Sequence, residues 1–178
     1  MALEGKKVLI FVQDEYEDLE LQYPPIRMLE AGAEVTVAGP EAGKSYSGKH
    51  GYPCKADKSF KDVNADQFDL LIIPGGYAPD KLRRDPKVLE ITRKFHEQGK
   101  PIAFICHAGW VPISAKSIKG VKCTSYSSIK DDMINAGANW VDESVVVDRN
   151  IISSRFPDDL PAFCQAILEH FESEVSVR

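Results

Sequence analysis

Three uninterrupted apolar runs, each closed by a polar or glycine-rich break, set the plan of this chain. Residues 7–12 (KVLIFV), 68–73 (FDLLII) and 101–105 (PIAFI) have strand length and little alternation. Strands covered on both faces of a parallel sheet read this way. Residues 33–38 (AEVTVA) alternate and predict another strand. Helical patterns fill the intervals: 19–31 ended by Gly32, 88–98 ended by Gly99, 129–136 ended by Gly137, and a closing helix over 157–171. A glycine just past a helix supplies the left-handed residue that caps it. Pro24 and Pro25 fall inside the first helical pattern. Proline is tolerated in a first turn but costs about 3 kcal/mol in a helix interior, so this helix either begins near Pro24 or kinks there.

Residues 45–60, broken by Gly48, Gly51 and Pro53, predict a small strand excursion or hairpin. A short strand is expected over 121–126 and a strand pair over 140–147 and 150–154. Strands alternating with helices imply an α/β three-layer sandwich with a mainly parallel central sheet. Ligands in such sheets bind beyond the carboxyl ends of the strands, near a topological switch point. Three loops leave candidate ends: 13–18, 74–80 and 106–110.

Composition narrows this picture. The chain has 178 residues, 43% of them hydrophobic, which suits one domain over 1–178. Its net charge is −5 and there is no basic stripe, so nucleic acid is not an expected partner. No apolar run approaches the ~20 residues of a membrane span, and a soluble, cytoplasmic protein is expected. Four cysteines, Cys54, Cys106, Cys123 and Cys164, form no Cys-x-x-Cys pair and stand at no metal-ligand spacing from a histidine. No metal or cofactor is therefore expected. Cys54, Cys123 and Cys164 read as packing or surface thiols.

Cys106 differs because of its place. It ends a buried-strand pattern and opens the turn His107-Ala108-Gly109-Trp110, with a helical pattern behind it. Strand, sharp turn and helix with a nucleophile at the corner is the thiol form of a nucleophile elbow. A helix N-terminus there would lower the thiol pKa. A buried inert cysteine would give the same local pattern. Glu17, after the first strand, is a candidate acid beside the thiol or a simple helix-start charge. Gly75 and Gly76, after the central strand, allow backbone N–H groups to approach a ligand and, with the N–H of His107, to form an oxyanion hole; a tight turn needs the same glycines. Adjacency of Cys106 and His107 permits a pair at a strained corner. Asp80 could orient a histidine or open a helix. Trp110 and Tyr126 could line a site mouth or fill a core.

Taken together, the segments VLIFVQDEYEDLEL, SGKHGY, LLIIPGGYAPDKLR, IAFICHAGW, TSYSSIKDDMINAGANWVDESVVVD and SSRFPDDLPAF resemble the PfpI intracellular protease family of the wider DJ/PfpI superfamily, over nearly the whole chain. The resemblance implies a flavodoxin-like sandwich, assembled as a homodimer or hexamer. It implies Cys106 as nucleophile with His107 beside it, and Glu17 as the acid that hydrogen-bonds the thiol. It further implies Asp80 as a carboxylate given to the histidine of a second subunit, Gly75 and Gly76 in the oxyanion hole, and Tyr126 lining the site. The chain departs from many members at Ala108-Gly109-Trp110, and a bulky Trp110 is expected to narrow the pocket. Phe104 is large for a crowded elbow, and Asp80 is shorter than the glutamate of some members.

Three functions are compatible with these residues. The first is a stress-protective cysteine enzyme acting on methylglyoxal or its early protein adducts, as a glutathione-independent glyoxalase or deglycase, through a Cys106 hemithioacetal. The second is a cysteine peptidase using Cys106, His107 and a neighbour's Asp80. The third is a redox-sensing or chaperone-like stress protein. The expected partner is a small dicarbonyl or a modified protein.

Overall fold

The computed structural model describes residues 1–176. In chain order the elements are β1 (Lys7–Phe11), α1 (Asp18–Glu30), β2 (Glu34–Gly39), β3 (Ser45–Ser47), β4 (Pro53–Lys55), β5 (Lys58–Ser59), β6 (Leu70–Ile73), α2 (Ala78–Leu82), α3 (Pro86–Glu97), β7 (Ile102–Ile105), α4 (Trp110–Ser114), β8 (Lys122–Cys123), α5 (Lys130–Asn135), β9 (Asn139–Trp140), β10 (Val146–Asp148), β11 (Ile151–Ser154) and α6 (Leu160–Ser176). Short 3-10 turns precede α4, α5 and α6.

Seven strands form one sheet in the order β10-β11-β7-β6-β1-β2-β5. All neighbours are parallel except β10 and β11. The apolar runs explain the centre. Every residue of β6 and β7 is fully buried, as are the last four of β1, because helices cover both faces. Crossovers from β1 to β2 and from β6 to β7 run in opposite directions along the sheet. Right-handed connections therefore place α1 and α3 on opposite faces. Helix α1 packs with α6, and α3 with α4. Leaving aside the two-residue edge strand β5, the parallel strands β2-β1-β6-β7-β11 follow the 2-1-3-4-5 order of flavodoxin-like sheets, with the switch point between β1 and β6.

The expected hairpin is β3 paired antiparallel with β4. The expected strand at 121–126 shrinks to β8, which pairs with β9 in a separate two-stranded ribbon. Helix α1 neither begins at Pro24 nor stops there. It runs through both prolines, from an N-cap at Glu17. Proline has no N–H, so the carbonyls of Glu20 and Leu21 lose their i+4 donors. Burial of Leu21, Pro24 and Met28 against the sheet offsets that loss. Among the described residues no helix is long and apolar enough to cross a membrane.

Candidate active site

The carboxyl ends of β1, β6 and β7 meet at the switch point, and the loops that leave them are stitched together. The Glu17 N–H donates to the Gly75 carbonyl (3.1 Å) and the Tyr77 N–H to the Glu15 carbonyl (2.9 Å). On the other side the Lys49 N–H donates to the Tyr16 carbonyl (2.9 Å), and the Asp18 carboxylate accepts the N–H groups of His50 and Tyr52 (3.0 Å each). The hairpin loop thereby delivers Lys49 to the same edge. Glu17, Glu20, Lys49, Gly76, Tyr77, Cys106, His107, Tyr126, Phe156 and Pro157 enclose a cavity of about 380 Å³ there.

Cys106 sits at the floor of this cavity with φ +64°, a left-handed conformation costly for any residue with a Cβ. A strand ends in a residue turned against its preference, and the thiol is thrust up from the sheet edge. The sulfur's residue is 7% exposed, and its opening is the cavity. The helix behind it is short: a four-residue 3-10 turn, Cys106–Gly109, and then the five residues of α4. The stabilisation expected from a long helix dipole comes instead from two local N–H groups, those of Gly76 and His107, which favour the thiolate. They do not overcome the environment. Burial, and then the negative charge of Glu20, push the Cys106 thiol up to about 12. The resting sulfur is therefore a protonated thiol, contrary to the lowered pKa expected from the sequence.

The acid at the thiol is Glu20, not Glu17. Glu20 is fully buried, and its Oε1 accepts the Gly75 N–H at 2.9 Å. The Cys106 thiol lies against this carboxyl, and Oε2 has no hydrogen-bond partner. A Cβ added at Gly75 would lie 2.4 Å from Glu20 Oε1 and 2.7 Å from Cys106 Cβ, which measures how tightly the three residues close on one another. Burial first, and the neighbouring Glu17 second, raise the Glu20 carboxyl to about 8. It carries a proton at neutral pH. Glu17 lines the cavity but spends its Oε2 capping α1, accepting the Glu20 N–H at 3.0 Å. The two acids are three positions apart, so the N-cap and the first turn of one helix carry both. The helical period, which put Glu20 one turn beyond Glu17 in an apolar stretch, was the available signal for it.

Gly75 also leaves the expected oxyanion hole, because its N–H is committed to Glu20. Gly76 and His107 keep N–H groups directed at the sulfur. Gly76 has φ +77°, and a Cβ there would strike the backbone of residues 15–17 at 2.4–2.7 Å, so only glycine fits this crossing of loops.

His107 lies beside the thiol, with Nδ1 3.2 Å from Sγ. Its other nitrogen, Nε2, is 3.0 Å from Ser128 Oγ. The ring stacks on Tyr126 (5.1 Å between centroids) and meets Trp110 edge-on at 5.3 Å. Burial, aided by the charge of Lys49, lowers its pKa, so the imidazole is neutral. Asp80 does not meet His107 within the chain; its side chain is 60% exposed and pairs with Arg84. Trp110 does not narrow the thiol cavity. It lies behind His107, walls a separate groove with Arg83 and Lys119, and donates its indole N–H to Asp132. Phe104 is accommodated in the core beneath the elbow. Lys49, Ser128 and Phe156 were not legible as site residues, since loops far apart in sequence bring them in, and Tyr77 went unmarked within the 74–80 loop.

Residues 6–170 match the DJ-1/PfpI family. The chain belongs to that family. It is 49% identical to the deglycase PfpI of Pyrococcus furiosus over 163 residues, covering 92% of this chain and 98% of that protein. It is 43% identical to protein/nucleic acid deglycase 2 of Escherichia coli, over 89% of this chain and 94% of that one. Among solved structures, a two-domain protein of Anabaena variabilis with DJ-1/ThiJ/PfpI-like and ferritin-like domains superposes with a TM-score of 0.92 at 40% identity, covering 94% of this chain and 48% of that longer one. These likenesses extend across the elements that build the thiol cavity.

Proposed function

We propose that this member of the family is a cysteine-dependent enzyme acting on methylglyoxal or on its early adducts with protein amines. One observation carries the reading: a buried, proton-bearing Glu20 is closed against the Cys106 thiol at the floor of a small cavity. A peptidase needs a base and an oxyanion hole, but not a second acid sealed against its nucleophile. Rearrangement of an α-oxoaldehyde to a 2-hydroxy acid needs one carboxyl group to shuttle a proton between two neighbouring carbons. The names of the Pyrococcus and Escherichia relatives, both deglycases, agree with it.

The chemistry closes without any cofactor. His107 Nδ1 accepts the thiol proton as Sγ adds to the aldehyde carbon, and the proton passes to the new oxygen to give a hemithioacetal. With an amine adduct, Sγ displaces the amine from the same carbon, and the amine leaves with the proton. The Gly76 and His107 N–H groups, freed from the sulfur, stabilise negative charge on the oxygen. Glu20 gives its own proton to the substrate's second carbonyl oxygen as its carboxylate takes the proton from the sulfur-bearing carbon, giving an enediol; it then delivers that proton to the adjacent carbon and recovers one from the hydroxyl on the sulfur-bearing carbon. The product is a lactoyl thioester, and attack by water releases lactate and the thiol. Lys49 faces Glu20, Cys106 and His107 with a positive charge that favours the anionic intermediate.

We further place the enzyme in an assembly of copies and in a reducing compartment such as the cytoplasm. Leu19, Ile26 and Leu29, 56–61% exposed along α1, support the first. Four unpaired cysteines suit the second. Lactate formation from methylglyoxal tests the central reading. Wild type is expected to turn over, Cys106→Ala to lose all activity, and Glu20→Gln to lose about 100-fold or more. Full activity in Cys106→Ala, or none in wild type, refutes it.

A further inference from the structure

The thiol stands between two unlike flanks. In the sheet order β11-β7-β6-β1, Cys106 leaves β7, and Ser154 at the end of β11 is paired with Ile105, the residue before the thiol. The loop after β11 therefore delivers Phe156 and Pro157 to one side of the sulfur. The loop after β1, with the hairpin stitched to it, delivers Glu17, Glu20 and Lys49 to the other side, beyond β6. The cavity lining is apolar on the first flank and charged on the second.

Resting on the Cys106 and Glu20 chemistry above, we infer that Phe156 is the specificity-determining residue of this site. The substrate class it selects is α-oxoaldehydes, free or as amine adducts, whose second carbonyl carbon bears an apolar group, aromatic groups included. Glu20 has to reach the oxygen on that carbon, so the oxygen faces the charged flank. The carbon's remaining substituent points away from the oxygen and meets the opposite flank, Phe156 and Pro157. A hydrogen there, as in glyoxal, leaves the apolar wall without a contact. A methyl group gains one, and a phenyl ring lies against the ring of Phe156.

A wall selects by shape only if its neighbours hold it in place. Phe156 is half-buried and pinned. Its neighbour Arg155 donates its backbone N–H and Nε to Asp159 Oδ2 (3.0 and 2.9 Å) and Nη2 to Oδ1 (3.1 Å), and Asp159 is buried. Arg155 Nη1 donates to Asp142 at 2.9 Å. The Asp159 N–H donates to the Phe156 carbonyl at 2.9 Å, and the Arg155 guanidinium lies over the Phe156 ring, 4.7 Å from its centroid. The other two aromatic rings of the lining are less suited to the task. Tyr126 is stacked on His107, and Tyr77 is 62% exposed.

Alkylation of Cys106 by α-chloroketones tests the wall without turnover. The sulfur displaces chloride, the thiol proton leaves to water, and the product places a ketone carbon next to the sulfur-bearing carbon, as in the hemithioacetal. Chloroacetone puts a methyl group on that ketone carbon and phenacyl chloride a phenyl group. Each rate with the full-length protein, read as mass added at Cys106, is divided by the rate with free cysteine under the same conditions. Wild type is expected to prefer phenacyl chloride about tenfold and Phe156→Ala about twofold or less, with the loss in the phenacyl rate. Turnover should follow: kcat/KM for phenylglyoxal should exceed that for glyoxal roughly tenfold or more in wild type, and fall towards parity in Phe156→Ala. No alkylation preference in wild type, or the same preference in Phe156→Ala, overturns the inference, and the wild-type comparison depends on no variant. The two readings fail separately. Preference without lactate from methylglyoxal refutes the activity proposed above and not the wall, whereas lactate without the preference refutes the role of Phe156 alone.

Discussion

Glu20 is the residue on which the site turns, and its charge state has consequences that need no substrate to observe. A carboxyl raised to about 8 in the folded chain, against an ordinary value of 4.5, binds its proton more tightly folded than unfolded. Its proton therefore favours the folded state fully below the unfolded value. That stability is lost as pH rises towards the folded value, at about 1.4 kcal/mol per pH unit across the window. Glu20→Gln removes the titration. From about pH 5 to about pH 8, thermal melts should show wild type losing stability relative to Glu20→Gln, with the gap levelling above about pH 8. A constant gap would mean that the carboxyl is not held protonated. Lys49 acts on the same groups from across the cavity, drawing the Cys106 thiol down against burial. Lys49→Met should slow alkylation of Cys106 by iodoacetamide at neutral pH, and an unchanged rate would remove Lys49 from the site's electrostatics.

The elements make this arrangement possible through close packing at two turns. The β6 loop must pass between α1 and the elbow, and Gly75 is the residue at the crossing. An alanine there would place its Cβ 2.4 Å from Glu20 Oε1, 2.7 Å from Cys106 Cβ and 3.0 Å from the Ile105 carbonyl. Two of these neighbours belong to the rigid elbow, so the Glu20 carboxyl is the group that must give. Gly75→Ala is expected to cost about 1–3 kcal/mol of stability and to cut lactate formation sharply, and wild-type turnover in a folded variant would contradict the packing described. Helix α1 explains where sequence reading succeeded and where it stopped. Its apolar positions and Gly32 marked a helix, but the prolines argued for a break that burial of Leu21 and Met28 overrides. Glu17 looked like the thiol's acid because it lies nearer the strand end. Helical geometry makes it a cap, and carries Glu20 one turn deeper to the sulfur.

Over the whole molecule, the parallel sheet and its elbow were legible because buried strands announce themselves as unbroken apolar runs. The cavity was only half legible. Cys106, His107, Gly76 and Tyr126 sit at strand ends or adjoin the elbow, whereas Lys49 and Ser128 arrive on loops whose placement only the folded backbone decides. The exposed apolar line of Leu19, Ile26 and Leu29 on α1 bears on assembly. Ile26→Glu should lower the mass seen by light scattering after gel filtration, and an unchanged mass would move the contact elsewhere. The most direct test of the chemistry is to trap its first intermediate. Glu20→Gln held with methylglyoxal should show, by native mass spectrometry, one added methylglyoxal mass that disappears when Cys106→Ala is combined with it, while lactate is released about 100-fold or more slower than by wild type. Lactate at the wild-type rate, or adducts that spare Cys106, would contradict a hemithioacetal whose proton Glu20 moves.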